Sequence, residues 1–205
     1  MEKREKTILS VIYVSQIQGK MPFEAIREKG MLSDDEINSK IDVLIKKQLV
    51  NKDRKTLTKI GRDSLKIVLA GGVFDIIHPG HIYTLNTAKK LGDVLVVVVA
   101  TDNTAVKMKK RVPLHTQEQR QELVNSLSMV DLCLVGQEDD IFKTVKHVKP
   151  QIIALGYDQV HQEQFITEGC KKIGLDAKVA RLQSPIPESS SSKIEREYGE
   201  SIHGL

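Results

Sequence analysis

Cysteine is nearly missing from this chain: Cys133 and Cys170 are the only two in 205 residues. They lie far apart and form no Cys-x-x-Cys or Cys/His spacing, which excludes a disulfide scaffold and offers no zinc site. The expectation is two buried or half-buried free thiols in a reducing cytoplasm. Long apolar runs are missing as well. The longest, Val94 to Ala100, falls far short of the roughly 20 residues that a bilayer span needs. The charged start Met-Glu-Lys-Arg-Glu-Lys lacks the apolar stretch and small-residue cleavage site of a signal peptide. A cytoplasmic protein with no membrane partner is therefore expected. No internal repeat is found, and Ser189–Ser192 is the one biased segment.

What remains is ordinary for a globular protein of one or two domains: 40% hydrophobic and 28% charged residues. The net charge of +4 is unevenly spread. Residues 1–66 carry 15 Lys and Arg against 10 Asp and Glu, and the remainder carries 16 against 17. That asymmetry suggests two units, 1–66 and 67–205, the first being the candidate for nucleic-acid contact.

The style of the sequence changes near residue 66. Before it, apolar residues recur at helical spacing, at Ile8, Val11 and Ile12 and again at Ile37, Ile41, Leu44 and Ile45. Ser33-Asp34-Asp35-Glu36 has the form of a capping box, which predicts a helix from about Asp34 to Gln48. A shorter helix is expected from Pro22 to Glu28, ending at Gly30. Leu49-Val50 and Leu57-Thr58 flank a polar stretch and read as a small hairpin. Three helices followed by a two-stranded wing resembles the winged-helix order. After Lys66, short runs rich in Val, Ile and Leu (67–70, 94–100, 132–135, 152–155 and 177–180) alternate with helical stretches (81–91, 118–126, 141–148 and 163–173). Such alternation predicts a five-stranded parallel, Rossmann-like α/β domain. Ligands on such sheets sit outside the carboxyl ends of the strands, where the strand order reverses.

The informative segment runs from Leu69 to Asp93. A strand ends at Gly71-Gly72, a turn follows, and His78-Pro79-Gly80-His81 opens a helix. Amides at a helix start are unpaired and aligned with its dipole, so they form an anion site. Pro79 has no amide to waste there, Gly80 lets a phosphate approach the backbone, and two imidazoles flank the place. Asp75 either orders the loop or meets the ligand.

The run Gly71-Gly72-Val73-Phe74-Asp75-x-x-His78-Pro79-Gly80-His81 resembles the signature of the cytidylyltransferase-like nucleotidyltransferase superfamily, over Ile67 to about Glu197. The resemblance implies transfer of a nucleotide from an NTP with release of pyrophosphate. It implies nucleotide contacts at Gly72, Val73, Phe74, His78, Pro79, Gly80 and His81. It further implies a basic loop over residues 100–124 that brings Lys109, or Lys110, and Arg120 to the phosphates. A nucleoside-binding turn with Gly156 and Asp158 and a serine-rich helix start with Ser190, Ser191 and Ser192 complete the set. His78, His81 and Lys109 are the expected catalytic groups. No metal-ligating residues are expected, because Mg²⁺ would arrive on ATP, held largely by phosphates and water.

Within the superfamily the sequence is most similar to archaeal-type FAD synthases, on "EQRQELV", "KPQIIALGYDQ" and the serine-rich turn near the C-terminus. ATP and FMN are then the expected substrates. Glycerol-phosphate cytidylyltransferases share the first motif but usually carry Arg-Thr-x-Gly-Ile-Ser-Thr-Thr where this chain has "RLQSPIPESSSSKI", which counts against CTP. A third reading, a DNA-binding regulator that senses a ligand with the same fold, meets a charge problem. The recognition helix would lead with Asp34-Asp35-Glu36, which repels phosphates. A docking role or a homodimer contact is favoured for residues 1–66 over DNA.

Overall fold

The computed structural model describes residues 1–30, 32–157, 159–183, 193–194 and 196–198. It divides into two compact units, Met1–Lys66 and Ile67–Leu205. The first holds helices α1 (Lys3–Gln18), α2 (Pro22–Gly30), α3 (Asp34–Lys46) and α4 (Lys59–Asp63). Its helix-spaced apolar residues Ile8, Ile12, Ile37, Ile41 and Leu44 are buried. The capping box forms: Glu36 N donates to Ser33 Oγ at 3.3 Å, and Ser33 N donates to the Glu36 carboxylate at 2.9 Å. The expected hairpin is reduced to a single antiparallel bridge between Val50 and Leu57. The Asp53 carboxylate explains why, since it accepts from the amides of Lys55 and Thr56 and turns the chain before a ladder can grow. A helix not anticipated from the sequence, α4, follows at once, capped by Thr58 Oγ1 accepting from Gly61 N at 3.0 Å.

The second unit runs β1 (Ile67–Gly72), α5 (Pro79–Lys89), β2 (Val94–Val99), α6 (Asp102–Lys109), α7 (Gln117–Asn125), β3 (Leu132–Val135), α8 (Ile141–Val148), β4 (Ile152–Leu155), α9 (Gln162–Lys172) and β5 (Lys178–Arg181). All strand pairs are parallel, in the order β3-β2-β1-β4-β5. The chain steps outward from β1 to β3, returns to lay β4 on the other side of β1, and continues to β5. Right-handed crossovers in opposite directions put the two sets of helices on opposite faces, and the order reverses between β1 and β4. Val68, Leu95 and Val97 of the central strands are fully buried with Leu85, Ala88 and Val124 of the covering helices, as strands covered on both faces require.

One expectation fails here. Residues 102–109, read as part of a loop, form α6. Asn103, Thr104 and Val106 are weak helix formers, but Thr101 caps the segment, its Oγ1 accepting from Thr104 N, and Lys107 and Lys109 fall in the last turn, where the dipole favours cations. Both cysteines are buried, and burial pushes the Cys133 thiol up to about 12. Among the described residues no helix is long and apolar enough to cross a membrane.

Candidate active site

β1 ends at Gly72, whose carbonyl accepts from Ala100 N at 2.9 Å. The chain then turns so sharply that Phe74 sits at φ +54°, a left-handed conformation that costs a bulky residue about 1–2 kcal/mol. Packing offsets the strain, because Phe74 is 6% exposed. Its ring lies over the backbone of Gly72, where an added Cβ would come within 2.9 Å of it, so position 72 admits only glycine without a shift. The other side of the ring meets His81, centroid to centroid 5.1 Å. Val73 is equally buried. Phe74 thus serves the site by supporting His81, and Val73 through its carbonyl.

His78 is the N-cap of α5, and Pro79 occupies the first turn. His78 Nδ1 accepts from Gly80 N at 3.2 Å, which fixes the tautomer that carries its hydrogen on Nε2. One turn into the helix, the His81 ring lies 3.9 Å from that of His78, inclined by 33°. Burial, with the nearby charges of His78 and Lys109, lowers the His81 imidazole from 6.5 to about 4. His81 is therefore neutral at pH 7 and offers an N–H rather than a charge. Its buried Nδ1 has no hydrogen-bond partner. Lys109 stands at the end of α6 and its charge contributes to that lowering. Two imidazoles thus face each other at the start of α5, an end whose dipole favours an anion.

Arg120 is the arginine expected at the phosphates. It is 0% exposed, and its guanidinium donates to three protein oxygens: Val73 O at 2.7 Å, His115 O at 3.0 Å and Asp102 Oδ1 at 2.7 Å. Three of its five N–H groups are thus engaged by protein oxygens. It ties the turn after β1 to the start of α6 and to the segment before α7. Asp75, 2% exposed, works alongside. Its carboxylate accepts from Arg111 Nη1 at 2.8 Å and His115 N at 3.1 Å, so of the two roles considered for it, ordering the loop is the one its contacts describe. Sequence reasoning did not single out His115 or Asp102, and it weighed Arg111 only within the basic run Lys109-Lys110-Arg111 as a phosphate contact.

Gly156 follows β4 at the switch point. Its N donates to Gln159 Oε1 at 2.7 Å and its carbonyl accepts from Gln159 N at 3.1 Å, which closes a tight turn. Asp158, Ser190, Ser191 and Ser192 lie outside the described residues. Two hollows border the loop. An open groove of about 690 Å³ runs along α5 from His78 and Pro79 to Lys90. A more enclosed cavity of about 310 Å³ starts at Gly71 and Gly72 and reaches α8 and α9. They share no lining residue. Among the described residues no group of three His, Cys, Asp or Glu converges to hold a metal.

A parallel sheet with a His-Pro-Gly-His helix start at its switch point defines a nucleotidyltransferase site. The chain belongs to the cytidylyltransferase-like family, whose model matches residues 69–197. It is 48% identical over 130 residues to an FAD synthase of Picrophilus torridus, covering 63% of this chain and 93% of that one. It is 50% identical over 116 residues to an FAD synthase of Aciduliprofundum boonei, covering 57% and 77%. A crystal structure described as a lipopolysaccharide core biosynthesis protein from Thermoplasma volcanium is 44% identical, with a TM-score of 0.56, over 58% of this chain and 98% of that one. Residues 1–66 lie outside the matched range.

Proposed function

We propose that this chain is an FAD synthase, moving AMP from ATP to the phosphate of FMN and releasing pyrophosphate. The observation that carries the reading is the stacked His78–His81 pair at the start of α5, in a chain 48–50% identical to FAD synthases over 77–93% of their lengths. A phosphate monoester has a second pKa of about 6, so the acceptor is already a nucleophile at neutral pH and needs no general base. What remains for the protein is to hold two anions in line and to stabilise charge growing on the α-phosphate and the departing pyrophosphate. The start of α5 with its dipole, the imidazoles of His78 and His81 and the cation of Lys109 supply that field. Gly156 and Asp158 serve the nucleoside, and the hydroxyls of Ser190, Ser191 and Ser192 the outer phosphates. Mg²⁺ would come with ATP, bound to its phosphates and to water, and would neutralise phosphate charge there.

For residues 1–66 we infer a winged-helix unit with a docking or dimer-forming role. Arg54 pairs with Asp42 at 2.6 Å, Arg27 with Asp34 at 2.7 Å and Lys47 with Glu5 at 2.5 Å, while Asp34, Asp35 and Glu36 form the first turn of the helix that would have to meet a phosphate backbone. The whole reading is tested by chromatography of products after incubation of the protein with Mg²⁺, ATP or CTP, and FMN or glycerol 3-phosphate. FAD is expected from ATP and FMN alone. CDP-glycerol in its place would overturn the substrate assignment.

A further inference from the structure

We propose that Arg111, which stands in the basic run expected at the phosphates, is a positioning residue: its ion pair with the buried Asp75 fixes where α6 ends and so holds Lys109 in place for the reaction. The proposal rests on the FAD synthase reading above.

Asp75 lies in the turn between β1 and α5, three residues before His78, and its side chain is 1% exposed. One stretch of chain meets it at both ends. Arg111 Nη1 donates to Asp75 Oδ2 at 2.8 Å. Four residues further on, His115 N donates to Asp75 Oδ1 at 3.1 Å, and His115 Nδ1 donates to the Asp75 carbonyl, which can only accept, at 3.0 Å. The segment between α6 and α7 is therefore a strap fastened at both ends to a single residue.

The strap begins where α6 stops. Lys110 takes the left-handed conformation, φ +60°, with its N donating to Val106 O at 2.8 Å, and this ends the helix at Lys109. Only Lys110 separates Lys109 from Arg111, and two residues of chain reach at most about 7 Å. A slip at the Arg111–Asp75 pair is thus passed to Lys109 with little loss. The far end of α6 cannot absorb it, because Asp102 is held there by Gln117 and Arg120. The charge of Lys109 is felt at His81, so a slip would alter the field at the imidazole pair.

Charge and shape keep Arg111 with Asp75. The carboxylate is almost sealed from water while the guanidinium is 23% exposed. Taking the cation away would leave an uncompensated charge in a low dielectric, the costliest way to break a pair. A phosphate arriving from solvent would have to offset that penalty. The same Nη1 also donates to Val112 O at 3.0 Å, so one nitrogen fastens the strap to the turn and to itself.

The test uses the full chain and a double-mutant cycle between Arg111→Gln and Lys109→Gln, with the fold of each variant checked by its melting temperature. FAD formation is followed with ATP and FMN each varied. Arg111→Gln is expected to lower kcat about 10²-fold, as displacing a catalytic group by roughly 1 Å does, with both KM values kept within about twofold. In the Lys109→Gln background the same change should alter kcat by less than about twofold. Arg111→Lys keeps a cation for Asp75 and should recover most of the rate. Equal losses of kcat in the two backgrounds would overturn the proposal, because Arg111 would then act for itself. A raised KM for ATP at unchanged kcat would also overturn it and assign Arg111 to the nucleotide, and a lysine variant as slow as the glutamine one would show that the ion pair is not what matters.

A second readout needs no turnover. Trypsin cuts after lysine, and Lys109 and Lys110 remain as sites when Arg111 is replaced. Arg111→Gln and Asp75→Asn should each speed cleavage there at least about tenfold, as loss of a charge-assisted hydrogen bond from the closed strap implies. Unchanged cleavage in both variants would refute the clasp. A protein that makes no FAD, yet loses this protection in both variants, would refute the FAD synthase reading alone.

Discussion

Replacing Arg120 by methionine keeps the volume and removes the guanidinium. In the folded chain Arg120 is fully buried and donates to the carbonyls of Val73 and His115 and to Asp102. Asp102 is 45% exposed, so its share of the pair is largely screened and it can return to water at little cost. The two carbonyls cannot do so as readily. A hydrogen bond from a charged donor contributes about 1.5–3 kcal/mol, which puts the expected loss near 3 kcal/mol. In a unit of this size that is a fall in melting temperature of about 10 °C. Differential scanning calorimetry measures it directly. Activity should fall through kcat and both KM values together, because the freed Val73 turn carries Phe74 and hence His81 out of place. A variant with wild-type melting temperature that lost only its affinity for ATP would refute this account and return Arg120 to the nucleotide.

Loss of one transition-state donor predicts that His78→Ala lowers turnover about 10²-fold or more with melting temperature nearly unchanged; initial rates of FAD formation check it, and a variant close to wild-type rate would end the catalytic role assigned to His78. His81 carries a pH signature. Its imidazole titrates at about 4 when folded against 6.5 in its ordinary state, so the unfolded chain takes up the proton first as pH falls. The stability tied to neutral His81 is complete above pH 6.5 and drains away toward pH 4, by about 3 kcal/mol in total. Urea denaturation at pH 7 and 4.5 should show the wild type losing more stability than His81→Asn, and parallel losses would disprove the link.

Much of the architecture was legible before any coordinates. The valine run at 94–99 could only be a strand buried on both faces, and β3, β4 and α8 fall on the residues their apolar patterns mark. The His78-Pro79-Gly80-His81 start was equally plain, since a proline, a glycine and two histidines at a strand-to-helix turn have few other uses. Less legible was α6. Its propensities are poor, and what makes it a helix is a cap from Thr101 together with the tertiary contact of Asp102 N to the Gln117 side chain. The wing at 50–57 was read too long because Asp53 bends the chain through its own side chain.

Local sequence determined which segments are strands and helices, because burial periodicity, caps and glycine turns act within a few residues. It also determined the His78-capped start of α5, because the cap and Pro79 act within one turn. Only the tertiary structure decided what Arg120 does. An arginine at a helix-surface spacing looks the same in sequence whether it faces solvent, a phosphate or two carbonyls brought to it by other strands. The same is true of the neutral charge state of His81, set mainly by burial, and of the cavity whose walls come from six separate elements. Those properties depend on which distant groups converge, and desolvation and convergence exist only once the sheet has assembled.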